Sequence, residues 1–460
     1  MPKRNLFIVL VMLAGSVVAW LARDHAGHGR RFAEVLAGIE RGHLEPVDPR
    51  GLFDTAMAAV FATLDEHSAW LGTDGREPRG AVAEREFGGV GIELAAADPL
   101  RGIAVVGPVL ASPAWHAGIA AGDRILAIDG IPAGQFTLEE ACRRLRGVPG
   151  TTVSLTVASA AGGTDAAAAT TREVPLRRER VEMETVLGDR RRPDGSWEWM
   201  VEGEPGVALL RITSFGDRTA EAVRSAVDAI AVRMAADASA AGDAAAAAGL
   251  LIVDLRGNAG GQAAAAVEVC DLFLDDGVIV STRRRSPAGG NAAVSATSDT
   301  RRATRGAAVP DVPMAVLVDG LTAHVAEVVA ACLQDHRRAV VVGSRTFGHG
   351  TVQSIVPLAD GSGSFRLTTA EYLRPGGGAI HRWDTPGGDD SAWGVSPDAG
   401  AAITPTGRQL EAWRDWRRQR DLVPAKHDGA VAVDPPSLAV LPRRVDAVLT
   451  RAIDVLRGLP

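Results

Sequence analysis

The sequence predicts an α+β protein of several domains: N-terminal helices, a small β-domain, an α/β core and a C-terminal helical extension. Three observations support this prediction. The chain has 460 residues, more than a single hydrophobic core usually accommodates. Apolar residues near the N-terminus recur with a helical period. Further along, continuous apolar runs alternate with amphipathic helices, as they do in βαβ units.

Residues 1–22 have the pattern of an export signal or of a membrane anchor. Lys3 and Arg4 form a charged start, and residues 6–22 are apolar. This run is at the short end for a membrane span. Both alternatives predict export to a periplasm or cell envelope, with anchoring to the membrane only if the segment is retained.

Residues 23–75 are predicted to form helices. Apolar side chains over residues 32–39 follow the i, i+3, i+4, i+7 spacing of an amphipathic helix. A second helix is predicted over residues 51–64, and Asp48 is placed to cap its N-terminus.

Residues 84–158 combine a glycine-rich turn with short strands and one amphipathic helix. The turn offers consecutive backbone N–H groups, which can bind a carboxylate; it consists of Phe87, Gly88, Gly89, Val90, Gly91 and Ile92. The helix begins at a capping box from Thr137 to Glu140 and presents Leu138, Ala141 and Leu145 on one face. This order of elements resembles a PDZ domain, and the resemblance implies that both segments line a groove for peptide C-termini. A small β-domain without a ligand is the alternative.

Residues 159–172 are rich in Ala, Gly and Thr and are predicted to form a linker. The α/β core is predicted over residues 173–400. Its clearest element is the apolar run at 250–255, typical of a strand buried on both faces. Residues 401–460 are predicted to form a helical extension that ends in an amphipathic helix at 443–456.

Two segments of the core carry a more specific resemblance. Residues 318–335 and 343–353 resemble the catalytic segments of the C-terminal-processing (tail-specific) serine protease family, which read N-G-x-S-A-S-A-S-E and F-G-K-G-x-V-Q. Counting back three residues from Glu327 places His324 at the position of the family's serine nucleophile. His349 takes the position of the lysine base, and Gln353 that of the supporting glutamine. The resemblance covers about residues 30–456 and implies a crotonase-like core.

The replaced residues predict a catalytically degenerate member of this family. A serine–lysine dyad needs a desolvated lysine, and the chain has only Lys3 and Lys426, both far from the motif in sequence. Thr322 is predicted to cap a helix. We therefore expect a pseudoprotease that binds polypeptides through its PDZ domain, and the alternative is an endopeptidase that uses noncanonical groups.

The turn after the apolar run resembles the family's oxyanion-hole segment. It reads D-L-R-G-N-A-G-G over residues 254–261, and Gly260 and Gly261 could leave N–H groups free for an anion. A simple strand-to-helix turn explains the same residues equally well.

No cofactor and no metal site are predicted. The two histidines could bind zinc or copper, but only the remote His381 offers a third ligand. The expected partners are unfolded polypeptides or C-terminal tails. The net charge of −7 argues against nucleic acid as a partner, and the sequence does not define an oligomeric state.

The cysteines have no metal-binding spacing. They are Cys142, Cys270 and Cys332. The last two fall on apolar helical stretches, which favours buried, unreactive thiols. One disulfide bond is left open by the sequence.

Overall fold

The computed structural model describes residues 26–72, 86–98, 102–159, 171–241, 249–284, 297–304, 306, 309, 312–382, 393–423 and 445–458. The predicted export signal and Lys426 lie outside the described residues. The chain divides into two compact units, one of residues 1–80 and 353–369, the other of residues 81–352 and 370–460. No helix in the described ranges is long and apolar enough to cross a membrane.

The first unit contains helices α1 (Ala26–Gly42) and α2 (Pro49–Phe61) and strand β1 (Ala69–Gly72). The prediction that Asp48 caps the second helix is confirmed, because its carboxylate accepts hydrogen bonds from the N–H groups of Arg50 and Gly51. Strand β1 pairs in antiparallel fashion with residues 364–366. That pairing links the end of the helical region to a segment almost 300 residues away in the chain.

The first part of the second unit is the segment that resembles a PDZ domain. Its sheet has the strand order β3-β4-β5-β7-β8, with β6 on β5. Asp129 and Gly130 have positive φ values of 50° and 77° and form the hairpin turn between residues 124–128 and 131–132. The Thr137 side chain accepts from the Glu140 N–H at 3.2 Å, so the predicted helix cap is confirmed. The elements are β2 (Glu86–Gly89), β3 (Ile92–Asp98), β4 (Gly102–Pro108), α3 (Pro113–His116), β5 (Arg124–Ile128), β6 (Ile131–Pro132), a 3₁₀ helix (Ala133–Gln135), α4 (Leu138–Leu145), β7 (Thr152–Ala158) and β8 (Thr171–Arg177).

Strand β8 differs from the sequence prediction. Residues 171–177 were expected to close the linker and open the α/β core, but they pair with β7 along its whole length, from Thr152–Arg177 to Ala158–Thr171. Val174 and Leu176 complete the hydrophobic core of the PDZ-like segment. Residues 160–170 of the predicted linker lie outside the described part of the chain.

The α/β core has a mostly parallel sheet in the order β10-β13-β14-β17-β18. Its predicted central strand, residues 250–255, is confirmed as β14. The elements of this core and its extension are β9 (Glu179–Glu182), β10 (Val186–Leu187), β11 (Arg190–Arg191), β12 (Trp197–Glu198), β13 (Val207–Ile212), α5 (Thr219–Ala241), β14 (Leu250–Asp254), α6 (Ala263–Phe273), β15 (Val278–Arg284), β16 (Thr297–Arg302), β17 (Met314–Val318), α7 (Val325–Asp335), β18 (Val340–Gly343), β19 (Thr351–Pro357), β20 (Ser364–Leu373), α8 (Gly407–Asp421) and α9 (Ala447–Gly458).

Helices cover both faces of this parallel sheet. Along β13, Ala208 and Leu210 pack in the same cluster as α5, α6 and α7. Val207 and Leu209 point to the other face and pack in the cluster that contains α9. Because β14 and β17 are adjacent and parallel, the loops that follow them leave the sheet at the same edge. The candidate site is built at that edge.

Candidate functional site

His324 lies at a sharp turn between β17 and α7. Its backbone has φ 57° and ψ −125°, and the helix begins at the next residue. A positive φ is unfavourable for any residue with a Cβ atom and costs roughly 1–3 kcal/mol. The surrounding structure therefore holds this residue in a strained conformation, and it does so at the position where the sequence pattern places the family's nucleophile.

Thr322 does not cap helix α7 as predicted. Its hydroxyl donates to the carbonyl of Leu255 at 2.9 Å and also contacts the Asp319 carboxylate. The side chain is fully buried. Because of the turn at His324, the helix starts three residues after Thr322. The threonine instead binds its loop to the end of β14.

One buried carboxylate fixes the backbone of both histidines. Glu327 accepts hydrogen bonds from the N–H of His324 at 3.0 Å and from the N–H of His349 at 2.8 Å. It also accepts from the Gly348 N–H at 2.7 Å and from the Thr346 hydroxyl. Burial raises the pKa of Glu327, although these hydrogen bonds to the carboxylate act in the opposite direction. Glu327 thereby joins the helix that follows His324 to the loop that carries His349.

The two imidazole rings are neighbours, as the aligned motifs predict. Their centroids are 5.1 Å apart with an interplanar angle of 50°. The Tyr372 ring meets His324 edge-on at 5.7 Å, and burial raises the pKa of the Tyr372 hydroxyl, so this group stays protonated at neutral pH. The ring of His381 is 6.5 Å from that of His349.

Gly260 packs directly against His324. A Cβ atom at Gly260 would lie 2.8 Å from the His324 Cβ, and the glycine has φ 105°. Its N–H donates to the Asn258 side chain at 2.8 Å, and the Asn258 amide in turn donates to the Ile212 carbonyl. The turn is thus anchored through Asn258, and in this structure the Gly260 N–H is already in a hydrogen bond.

Gly261 is fixed by contact with the neighbouring loop. It has φ 136°, and an added Cβ would stand 2.1 Å from the carbonyl oxygen of Phe215. The proposed oxyanion-hole role of Gly260 and Gly261 stays a prediction. What the geometry establishes is that both positions require glycine for packing.

Gln353 belongs to the first unit. There its Nε2 donates to the Thr368 hydroxyl at 3.4 Å, and that hydroxyl donates to the Asp65 carboxylate at 3.0 Å. Asp65 also accepts from the Ser68 hydroxyl. Sequence reasoning missed this chain of hydrogen bonds, which orients the Gln353 amide. The catalytic role assigned to Gln353 stays a prediction.

The glycine-rich segment of the PDZ-like domain is more tightly paired than predicted. Phe87, Gly88 and Gly89 form part of β2, which pairs with β9. A Cβ at Gly88 would stand 2.0 Å from the Gly147 carbonyl oxygen, and one at Gly91 would stand 2.2 Å from the Ser112 Cβ. Close packing within the domain is therefore sufficient to explain both glycines.

The next residues, Val90, Gly91 and Ile92, lead from this pairing into β3. The carbonyls of Val90 and Gly91 accept from the N–H groups of Ala114 and Val109. β3 ends the strand order of the PDZ-like sheet. An edge strand of this kind can accept a further strand.

Only part of the predicted groove-lining face of α4 is open to a ligand. Ala141 and Leu145 are 0% and 5% exposed and belong to the domain core, whereas Leu138 is 37% exposed. The helical spacing correctly placed the three residues on one face, but most of that face is used to pack the helix onto the sheet. Leu138 is the one of the three that remains available for contact.

A metal site is not assembled around the histidines. Within the ranges that the structure describes, no group of three or more His, Cys, Asp or Glu side chains could hold a metal ion. His324 and His349 offer two imidazoles, whereas protein zinc sites usually have at least three protein ligands.

Comparisons with known proteins agree with this architecture. The model of Peptidase family S41 matches residues 206–400, and a PDZ domain model matches residues 105–159. A carboxy-terminal-processing protease of Bartonella bacilliformis is 31% identical over 373 residues, which cover 81% of this chain and 76% of the relative. The chain belongs to the carboxyl-terminal-processing protease family.

The chain is also similar to two further proteins. A carboxyl-terminal-processing protease of Picosynechococcus sp. is 33% identical over 363 residues, 79% of this chain and 76% of the relative. The solved structure of a photosystem II D1 C-terminal processing protease is 25% identical and covers 85% of this chain and 92% of that chain, with a TM-score of 0.42.

The described site brings two imidazoles together, one at the turn before α7 and one in the loop that carries His349. The motif resemblance predicts that His324 and His349 occupy the positions of the family's serine and lysine. Two imidazoles can accept or donate protons, but acyl transfer also needs a nucleophile at the turn. The nearby hydroxyls of Thr322 and Thr346 are buried and hydrogen-bonded.

Proposed function

We propose that this protein is an exported pseudoprotease of the carboxyl-terminal-processing family that binds unfolded polypeptides and C-terminal tails through its PDZ domain. One observation carries the proposal: an imidazole occupies the strained turn at which the family pattern has its serine, and a second imidazole faces it at 5.1 Å. The substituted pair has neither the hydroxyl nor the ammonium group of a serine–lysine dyad.

The rest of the site supports a loss of chemistry with retention of structure. Glu327 still holds the backbone of both substituted positions, and Gly260 still packs on His324. The strained φ at His324 lowers stability. Such strain is not expected to persist in a site without any function. A retained framework is consistent with a continuing role in binding.

Exposed apolar side chains beside the histidines support polypeptide binding. Leu321 is 55% exposed and precedes His324 by three residues, and Phe347 is 49% exposed and precedes His349 by two. Exposed apolar groups at the rim of a polar site can contact the apolar side chains of an unfolded chain. We therefore expect the core to hold a segment whose C-terminus the PDZ domain retains.

Partners and location follow from the same proposal. The ligands are polypeptides with a free C-terminal carboxylate, with no role for nucleic acid and none for a cofactor. Residues 1–22 direct the chain to the periplasm or cell envelope, where they either are removed or anchor it to the membrane. Detection of the protein in a periplasmic or membrane fraction, with sequencing of its mature N-terminus, tests this part.

A digestion assay tests the absence of proteolysis. The protein and its His324→Ala and His349→Ala variants are each incubated with an unfolded substrate that has an apolar C-terminus, and fragments are identified by mass spectrometry. We expect no fragments from any of the three and retention of the substrate. A His324→Ser/His349→Lys double variant serves as the matched positive control, because it restores both groups of the family pattern on the same framework.

A peptide-binding measurement tests the PDZ function. A peptide with an apolar C-terminus should bind, and amidation of its carboxylate should abolish binding because a carboxylate is bound by backbone N–H groups. Leu138→Asp should weaken binding about tenfold or more by placing a charge at the exposed groove position. Equal affinity for the free and amidated peptides would contradict C-terminal recognition.

The alternative is an endopeptidase with noncanonical catalytic groups. It is favoured by the proximity of two imidazoles that share the anchor Glu327. Cleavage by the wild type that disappears in either alanine variant would establish this alternative and refute the pseudoprotease. Sensitivity of that cleavage to chelators would further indicate a metal-dependent reaction.

A further inference from the structure

Two buried cysteines lie side by side beneath the candidate site. Cys270 is in α6 and Cys332 is in α7, both are fully buried, and both belong to the main hydrophobic cluster of the core. They are thiols in the structure. The third cysteine, Cys142, is in the PDZ-like segment and is partly exposed.

The topology of the core places the two cysteines at the same distance from the start of their helices. Helices α6 and α7 follow the adjacent parallel strands β14 and β17, so they run in the same direction. α6 starts at Ala263 and α7 at Val325, which makes each cysteine the eighth residue of its helix. Both side chains are buried in the same hydrophobic cluster, and the interaction with the Cys332 thiol is the largest contribution that raises the pKa of Cys270.

We propose that Cys270 and Cys332 form a disulfide bond when the chain folds in an oxidising compartment. In the reaction, each cysteine gives up its S–H proton and one S–S bond forms between the two side chains. The two electrons and two protons pass to an oxidant of the disulfide class, which is reduced to two thiols. The sequence alone does not decide whether a disulfide bond forms or which cysteines it joins. The adjacent helices favour Cys270 with Cys332 over a bond from either of them to Cys142.

The bond would connect the two helices that carry the site. α6 follows directly from the turn with Gly260 and Gly261, and α7 begins next to His324. With a rise of 1.5 Å per residue, the Cα atoms of the two cysteines lie about 10 Å along each helix from its N-terminus. A covalent link at that depth would hold the two helix N-termini, and therefore Gly260 and His324, at a fixed separation.

The bond has to form before the core closes. The thiolate is the reactive form of cysteine, and the hydrogen bond with Cys332 together with burial raises the pKa of Cys270 well above its usual range. Neither side chain is accessible to an oxidant in the folded chain. We therefore expect the reduced, folded protein to resist oxidation, whereas the same chain refolded in the presence of an oxidant acquires the bond.

The test compares two refolding reactions of the full chain. The protein is unfolded in denaturant with a reductant, and it is refolded either with reductant or with a mixture of reduced and oxidised glutathione. Remaining thiols are alkylated under denaturing conditions, and linked peptides are identified by mass spectrometry. The Cys142→Ser variant is treated in parallel, because it removes the partly exposed third cysteine and leaves the buried pair intact.

The expected product of oxidative refolding has a Cys270–Cys332 linkage, in the wild type and in the Cys142→Ser variant alike, and a higher midpoint of chemical unfolding than the reduced product. Alkylation of both Cys270 and Cys332 after oxidative refolding would overturn the proposal, as would a linkage to Cys142 or a product with a lower midpoint. Export enters this proposal only as the source of the oxidising compartment. The digestion and peptide-binding results do not affect the thiol count, so the two proposals can fail independently.

Discussion

Replacement of His324 by glycine measures the strain at the turn. With φ 57° and ψ −125°, a residue with a Cβ atom costs roughly 1–3 kcal/mol there. Glycine avoids that cost but loses about 0.5–1 kcal/mol because its unfolded chain has more conformational freedom. The His324→Ala variant removes the imidazole and keeps the Cβ, so the comparison of glycine with alanine isolates the backbone term. We expect His324→Gly to be more stable than His324→Ala by about 1 kcal/mol.

The assay is chemical unfolding in urea, followed by far-UV circular dichroism, with stability taken from midpoint and slope. Ala229→Gly is a matched control, because Ala229 is exposed in the middle of helix α5. There the same loss of a Cβ should destabilise the protein by about 1 kcal/mol. Opposite signs at the two positions support the strained turn. If glycine is also the less stable residue at position 324, the reasoning is refuted, since the backbone would not have a positive φ in solution.

Further predictions concern the neighbours of this turn and the two buried cysteines. Gly260→Ala should destabilise the wild type, because the new Cβ would stand 2.8 Å from that of His324. The same substitution should destabilise the His324→Gly variant less. Equal decreases in the free energy of unfolding in urea would contradict the contact. Glu327→Gln should cost about 1–3 kcal/mol at neutral pH, because an amide nitrogen would then face N–H donors. Burial raises the pKa of Glu327 above 4.5 in the folded protein, so the folded state binds the carboxyl proton more tightly than the unfolded chain does. The free energy of unfolding of the wild type should therefore fall as the pH rises from 4.5 through the raised pKa. The unfolding midpoints of Glu327→Gln, measured from pH 4 to 8, should lack that fall. The Cys270–Cys332 bond closes a loop of roughly 60 residues and should raise the unfolding free energy by about 4 kcal/mol on a chain-entropy model, which unfolding with and without reductant would check.

The elements that depend on local sequence were predictable. Asp48 and Thr137 cap their helices because a side-chain oxygen next to a helix start accepts from nearby N–H groups, and the sequence marks both. The apolar run at residues 250–255 identifies a buried parallel strand by composition alone. The proximity of His324 and His349 followed from aligned motifs, which already contain long-range information.

Features that depend on distant partners were not predictable. Strand β8 follows a low-complexity stretch, and only its pairing with β7 assigns it to the PDZ-like sheet. Ala141 and Leu145 have the spacing of a ligand-facing stripe, but the same spacing serves a core face. The shared hydrogen bonds of Glu327 join segments more than 20 residues apart in the chain, and periodicity gives no sign of such an arrangement.

The anchoring of both histidines through Glu327 has a consequence for substitutions at their positions. The carboxylate binds the peptide N–H groups of residues 324 and 349, and every amino acid except proline supplies that group. The hydrogen bonds of Glu327 to the backbone of residues 324 and 349 therefore do not depend on which side chains these residues carry. Substitutions at these two positions should therefore leave the backbone anchor in place, in whichever order they occur.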